Sequence, residues 1–346
     1  MNSKKINKKD LKKLLDTWRR DFNLIVPVLE NEVITMDVWD GKDTAFIDWY
    51  RNTVVPPKAN FLPPGEKMIS FEKKKDGIVL EIPRNGQRQI IFGVRPCDAR
   101  SIAIIDDVFT ETYEDTYYLS RRNNTIVIGL SCNSPYDSCF CTSLNINPVE
   151  SAHVDLLFTD IGDDLLIEEI TERGKGLLNM PDTIKKATKA DTEKGQALKD
   201  SLAAKVTKQV NVKDMEHRLQ ACFNDREFWE KAAAKCIGCG ICTFLCPTCF
   251  CFDINDEMLK KQGARYRSWD SCSFKAYTRM PMENPREERW RRVRQKVCHK
   301  YQFLPANLGV TACTGCGRCI RLCPVNWDIT QVLAGVPQKE AARSAK

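Results

Sequence analysis

Histidine is nearly missing from this chain, with three residues in 346. That scarcity excludes the His-rich zinc and copper enzymes and leaves soft thiolate chemistry for any metal. No stretch approaches the roughly 18 consecutive apolar residues of a membrane span. The start, Met1 to Asp21, is basic but lacks a continuous apolar segment, so a signal peptide is not expected. No Gly-x-Gly-x-x-Gly follows a strand-like run, which leaves no Rossmann-type nicotinamide or FAD site. Gly174-Lys175-Gly176 lacks the preceding strand and the third glycine of a phosphate-binding loop.

Cysteine is what the chain has in excess: 17 residues, in a sequence 42% hydrophobic and 29% charged. A disulfide scaffold does not fit an odd number of thiols in a long chain without an export signal. The expected setting is reducing cytoplasm, with cysteines as metal ligands. The length suits two domains, each with its own core.

Leu11, Leu14, Leu15, Trp18 and Phe22 recur at helical spacing, predicting a surface helix over residues 5–22. Pro56-Pro57 and Pro63-Pro64-Gly65 break the chain, and Ile78 to Ile82 reads as a strand. Gln89 to Val94 and Thr125 to Leu130 are short β-branched runs, as in strands buried on both faces. Between them Ile102, Ile105 and Phe109 predict a helix from Asp98, with Asp98 as N-cap. Strand, crossover helix and parallel strand imply an N-terminal α/β domain over residues 1–220 with a partly parallel sheet. Residues 183–214 turn to Lys, Ala, Asp and Gln, a solvated helix or linker.

One short unit occurs twice. Cys236, Cys239, Cys242 and Cys246-Pro247 match C-x2-C-x2-C-x3-C-P, and Cys313, Cys316, Cys319 and Cys323-Pro324 match it again. Three cysteines two residues apart wrap the chain around one corner of an iron–sulfur cube. Gly238, Gly240, Gly315 and Gly317 let backbone amides approach the sulfides. The fourth cysteine lies a helical turn further on and, in two-cluster proteins, ligates the other cluster. The predicted sets are Cys236, Cys239, Cys242 and Cys323 on one [4Fe-4S] cluster, and Cys313, Cys316, Cys319 and Cys246 on a second. A zinc ribbon has no use for the third cysteine or the proline. Glu257 to Lys261, Phe274 to Met280 and Pro285 to Tyr301 are rich in helix formers, so residues 221–346 are expected to be an all-helical two-cluster domain. This resembles the α-helical ferredoxin domain of the iron–sulfur subunit of succinate dehydrogenase and of heterodisulfide reductase.

Cys97 follows one predicted parallel strand and Cys132 the next, so both emerge at the carboxyl edge where open α/β sheets bind ligands. Cys139 and Cys141 can return to the same mouth. A third [4Fe-4S] cluster, a four-cysteine zinc site and simple buried thiols are the alternatives there. Cys249, Cys251 and Cys272 either replace an assigned ligand or pack near a cluster, while Cys222 and Cys298 read as ordinary buried thiols.

Gly93 to Ser101, Cys132 to Cys141, Pro247-Thr248-Cys249-Phe250-Cys251 and Trp269-Asp270-Ser271-Cys272, joined to the two motifs, resemble a known iron–sulfur subunit family over residues 50–335. It contains the β subunit of soluble archaeal sulfhydrogenases, the A subunit of anaerobic sulfite reductase, and a related subunit of flavin oxidoreductase and heterodisulfide reductase assemblies. The resemblance implies a non-catalytic electron-transfer subunit in an anaerobe's cytoplasmic oxidoreductase. Its implied partners are a flavin-containing NAD(P)H diaphorase subunit and a catalytic subunit of sirohaem sulfite reductase, NiFe hydrogenase or heterodisulfide reductase type.

The formal charge of +7 falls to near +1 if three sites each carry roughly −2, so global basicity argues little for nucleic acid. Local basicity remains at Arg286, Arg289, Arg291, Arg292, Arg294, Lys296 and Lys300, read either as a solvated helix face or as a docking surface for an acidic partner. The rival readings are a metal-stabilised binding module without redox function and an enzyme with its own flavin in the first domain.

Overall fold

The computed structural model describes residues 3–42, 44–83, 86–179 and 182–338. Its strands, in chain order, are β1 (Lys4–Asn7), β2 (Asn23–Glu30), β3 (Val33–Val38), β4 (Gly65–Lys74), β5 (Gly77–Glu81), β6 (Gln89–Val94), β7 (Thr125–Leu130), β8 (Leu156–Asp160), β9 (Asp164–Glu169), β10 (Ile184–Lys186), β11 (Phe252–Leu259) and β12 (Gln262–Trp269). Eight of them form one sheet in the order β10-β1-β9-β8-β7-β6-β2-β3. Its centre, β2-β6-β7-β8, is parallel and its flanks are antiparallel. Every residue of β7 is buried, as a central strand covered on both faces requires.

One face is covered by the Leu11–Asp21 helix, whose Leu14, Leu15 and Trp18 pack against Phe92 and Phe158. The other is covered by the Pro96–Thr110 helix through Ile102 and Ile105 against Val127 and Leu157. Each of these large side chains contributes on the order of 1.5–3 kcal/mol by leaving water. The predicted helix over residues 5–22 starts only at Leu11. Lys4 to Asn7 instead pair with both β9 and β10, because Ile6 is buried there at 1% exposure and the flanking strands need a partner. Asp98 is not the N-cap either. Pro96 starts the helix from Arg95, and Asp98 points inward. Within residues 183–214 a helix spans Lys189–Ala204, opened by a Thr188–Asp191 capping box and seated on the sheet at Gly195.

The C-terminal region is helical around the cysteine motifs, with helices at Met215–Ala221, Arg226–Ala233, Arg289–Cys298, Leu304–Leu308 and Ile329–Gly335. Glu257 to Lys261, expected as helix, belongs instead to the β11–β12 hairpin, which turns at Lys260 with φ of 57°. The hairpin joins β4 and β5 in a second sheet, order β11-β12-β4-β5. Residues 65–81 and 252–269 thus complete one sheet across the two halves of the sequence. Pairing with β4 overrides helix propensity here, since β12 gains a full ladder on both sides. Phe274 to Met280 forms only a short 3-10 turn at Ala276–Thr278.

Candidate iron–sulfur centres

β6 and β7 run parallel in register, with a bulge at Gly93, and release Cys97 and Cys132 at the same carboxyl edge. Cys97 sits in the first turn of the Pro96–Thr110 helix, and Cys132 is tied by its amide to Pro148 O at 2.9 Å. The Cys139–Cys141 loop folds back over this edge. All four cysteines line one small cavity. A second is lined by Cys236, Cys239, Cys242 and Cys323. A third is lined by Cys246, Cys313, Cys316 and Cys319. The fourth cysteine of each motif therefore stands in the cavity of the other motif.

Two of these cysteines belong to two cavities each. Cys242 also lines the wall of the Cys313 site, and Cys316 also lines the wall of the Cys97 site. The three sites follow one another without a gap, and the Cys313 site is in the middle. The loops themselves touch: Phe140 N donates to Gly315 O at 2.9 Å, and the Cys139 thiol lies 3.6 Å from Cys316 O. Gly315 and Gly317 allow that approach. Their φ values are 62° and 74°, and a Cβ would fall 2.5 Å from Cys141 N at Gly315 and 2.4 Å from Ser138 Oγ at Gly317.

Buried cations surround the cavities. Lys300 Nζ donates to Cys246 Sγ at 3.1 Å, to Thr248 Oγ1 at 2.8 Å and to Ala312 O at 3.0 Å. Lys296 Nζ donates to Cys242 O at 2.7 Å, and Lys58 Nζ to Cys249 O at 2.6 Å. Arg95 caps the Cys132 edge by donating to the carbonyls of Tyr50, Arg51, Leu130 and Ser131. All four side chains are buried, and among the described residues none has a carboxylate within ion-pair reach. Buried charges without counter-ions are costly, so this set demands anions in the cavities. Arg318, by contrast, is conventionally paired: it and Asp98, both at 0% exposure, form a bidentate bridge between the Cys316–Cys319 loop and the turn holding Cys97.

The electrostatics point the same way. Burial pushes the Cys139 and Cys141 thiols up to about 12 and raises Cys97 and Cys132. Those thiols stay protonated without a metal to displace the proton. Cys246 is held well below the usual thiol range by a hydrogen bond from Cys249, with Lys300, Lys296 and Lys58 adding to it against the effect of burial. Burial works against the Lys300 charge, but attraction to the sulfurs of Cys246, Cys249 and Cys313 outweighs it and holds the ammonium above its ordinary range. Lys58 is pulled down to about 8 by burial.

The donor set fits cubane clusters. Each cavity has an assigned set of four thiols around it, not drawn together as four thiolates closing on one ion would be. No three His, Cys, Asp or Glu side chains among the described residues converge closely enough to hold a single ion. Backbone amides also reach the sulfurs, with Gly238 N donating to Cys236 Sγ at 3.4 Å and Trp327 N to Cys323 Sγ at 3.2 Å.

Cys251 and Cys272 face each other at the base of the β11–β12 hairpin, and Cys249 lies against Cys246. Cys222 and Cys298 are buried thiols of the helical core. Lys58, Arg95 and Arg318 carry no spacing signal in the sequence, Asp98 was expected only as an N-cap, and Lys296 and Lys300 were expected on a solvated or docking face. A signal existed: Lys296 and Lys300 are one helical turn apart, on the stripe that carries Val293 and Val297. His299 is half-buried beside Phe250, and burial holds its imidazole below the ordinary range.

A family model described as a 4Fe-4S dicluster domain matches residues 235–327. The chain is 30% identical over 310 residues to a protein named Sulfhydrogenase 2 subunit beta from Pyrococcus furiosus, covering 89% of this chain and 90% of that one. No solved structure matches. No helix among the described residues is long and apolar enough to cross a membrane.

Proposed function

Because the chain belongs to the iron–sulfur subunit family that includes the sulfhydrogenase β subunit, we propose that it is a three-site electron relay of a multi-subunit oxidoreductase. The observation that carries this reading is three cavities in a row, lined by five, five and four cysteines, with Cys316 and Cys242 as the shared walls. Cys97, Cys132, Cys139 and Cys141 hold the first [4Fe-4S] cluster in the row. Cys246, Cys313, Cys316 and Cys319 hold the middle one, and Cys236, Cys239, Cys242 and Cys323 the last. When bound, such clusters supply one-electron oxidation and reduction, and with four cysteine ligands each they have no open position for bond chemistry.

The chain's own residues do the rest. Cys242 and Cys316 fix the order of the sites and keep neighbours in contact. Lys300, Lys296 and Arg95 place positive charge against the thiolates, which offsets the cost of burying anions. Phe140 and the buried Arg318–Asp98 pair close the junction between the two halves to water.

The electrons in this reading come from a flavin-containing NAD(P)H diaphorase subunit and leave to a catalytic subunit of hydrogenase, sulfite reductase or heterodisulfide reductase type. The binding-module rival is opposed by thiol sets that do not converge on a single ion among the described residues and by cations that lack carboxylates. Anaerobic reconstitution followed by iron, sulfide and EPR analysis tests the proposal, with about twelve irons expected at four per site. Cys139→Ser should lower that to about eight. An unchanged count rejects the Cys97 site, and fewer than about eight in the parent chain defeats the two-motif core.

A further inference from the structure

The last site in the row opens to solvent. Cys239 is exposed and Ile237 beside it is 58% exposed, whereas the middle site is enclosed by buried Lys296, Lys300 and Cys316. Immediately next to this opening runs a groove of about 320 Å3 between the Arg226–Ala233 and Ile329–Gly335 helices. Its floor is apolar, with Phe228, Trp327 and Val332. Trp327 is the wall between groove and cysteine cavity, with its backbone amide on Cys323 Sγ and its indole on Ala232 O at 2.8 Å. Lys231 and Lys235 line the rim, and exposed Arg289 lies close enough to Cys236 to act on its thiol. The carboxylate in the wall, Asp328, is already taken by Lys208 at 2.8 Å.

We propose that this groove and the Ile237–Cys239 rim dock an acidic one-electron carrier protein, its carboxylates on Lys231, Lys235 and Arg289 and an apolar side chain on Phe228 and Trp327. The charge of the rim selects the occupant. The chain's own C-terminal residues after Gln338 carry Lys339, Arg343 and Lys346 against Glu340 alone, the wrong sign for a lysine-lined groove. The inference rests on the relay reading, since only a cluster behind Trp327 gives the contact a redox consequence.

The test uses the reconstituted full chain and a reduced acidic plant-type ferredoxin as probe, with stopped-flow bleaching as readout. Lys231→Glu with Lys235→Glu should slow the second-order rate at low ionic strength at least tenfold and invert its salt dependence. Lys189→Glu with Lys194→Glu, on the distant Lys189–Ala204 helix, should change neither. Lys231→Gln with Lys235→Gln should fall between, with iron content and EPR spectra as in the parent. Equal effects of the two reversals, or no effect of the first, overturn the docking site. A faster rate in a chain ending at Gln338 overturns it in favour of the tail as occupant. Missing irons or silent EPR in the parent would instead strike the relay reading.

Discussion

Replacing Lys300 by methionine keeps the volume and removes one buried positive charge from the middle site. The ammonium lies 3.1 Å from the Cys246 sulfur, with no carboxylate to share its field. An electron added to a cluster that the four thiolates of that site would hold lies on the order of 4–8 Å from the charge. At an effective dielectric of about 20 the lost attraction is about 2–4 kcal/mol. With about 59 mV per tenfold change for a one-electron couple, that is a fall of about 90–180 mV in the potential of the middle site. The other two sites should move far less, because Lys300 touches neither set of thiols. An EPR-monitored redox titration of the reconstituted parent and K300M chains reads this directly. A shift below about 30 mV, or equal shifts at all sites, would refute the argument that a bare ammonium sets the middle potential. Lys300→Arg should restore much of the parent value.

Three further outcomes follow from the geometry. Asp98→Asn strands the fully buried Arg318 charge and should cost about 3–5 kcal/mol in urea unfolding; adding Arg318→Met should recover most of it, and an unrecovered double variant would deny the pair this role. Gly309 and Gly315 share positive φ values of 69° and 62°, but only Gly315 faces a backbone atom at 2.5 Å. Gly309→Ala should therefore cost about 1 kcal/mol, and Gly315→Ala more, with loss of iron from the Cys97 site; equal costs would show that the loops do not need their close contact. His299 is depressed to about 4 by burial, then by Lys300 and Arg286. Its folded pKa lies below the unfolded value near 6.5, so it contributes stability at neutral pH that is lost as pH falls from about 6.5 to 4, on the order of 2–3 kcal/mol. His299→Gln should flatten the urea midpoint over that window, and an unchanged slope there would count against the burial.

The strands Gln89–Val94 and Thr125–Leu130 were legible to the residue, because a strand covered on both faces is apolar at every position. The Leu11–Asp21 stripe was legible for the same local reason, but its start was not, since Lys4 to Asn7 pair with strands some 160 to 180 residues away. The β11–β12 hairpin was illegible as well. Glu257 to Lys261 favour helix by composition, and only β4, almost 200 residues earlier, makes them a strand pair.

The two motif groupings could be proposed from the chain alone because ligand spacing is local: C-x2-C-x2-C-x3-C-P can wrap one metal cage and point one thiol away wherever it occurs. The order of the three cavities, with Cys242 and Cys316 as shared walls, arose only when residues far apart were folded together. So did the burial of Lys58, Lys296 and Lys300 without carboxylates, since one sequence of lysines reads alike on a wet face and in a core. Spacing determines what the thiols can bind. Long-range packing decides which charges lose their water, and with that how strongly each site holds an electron.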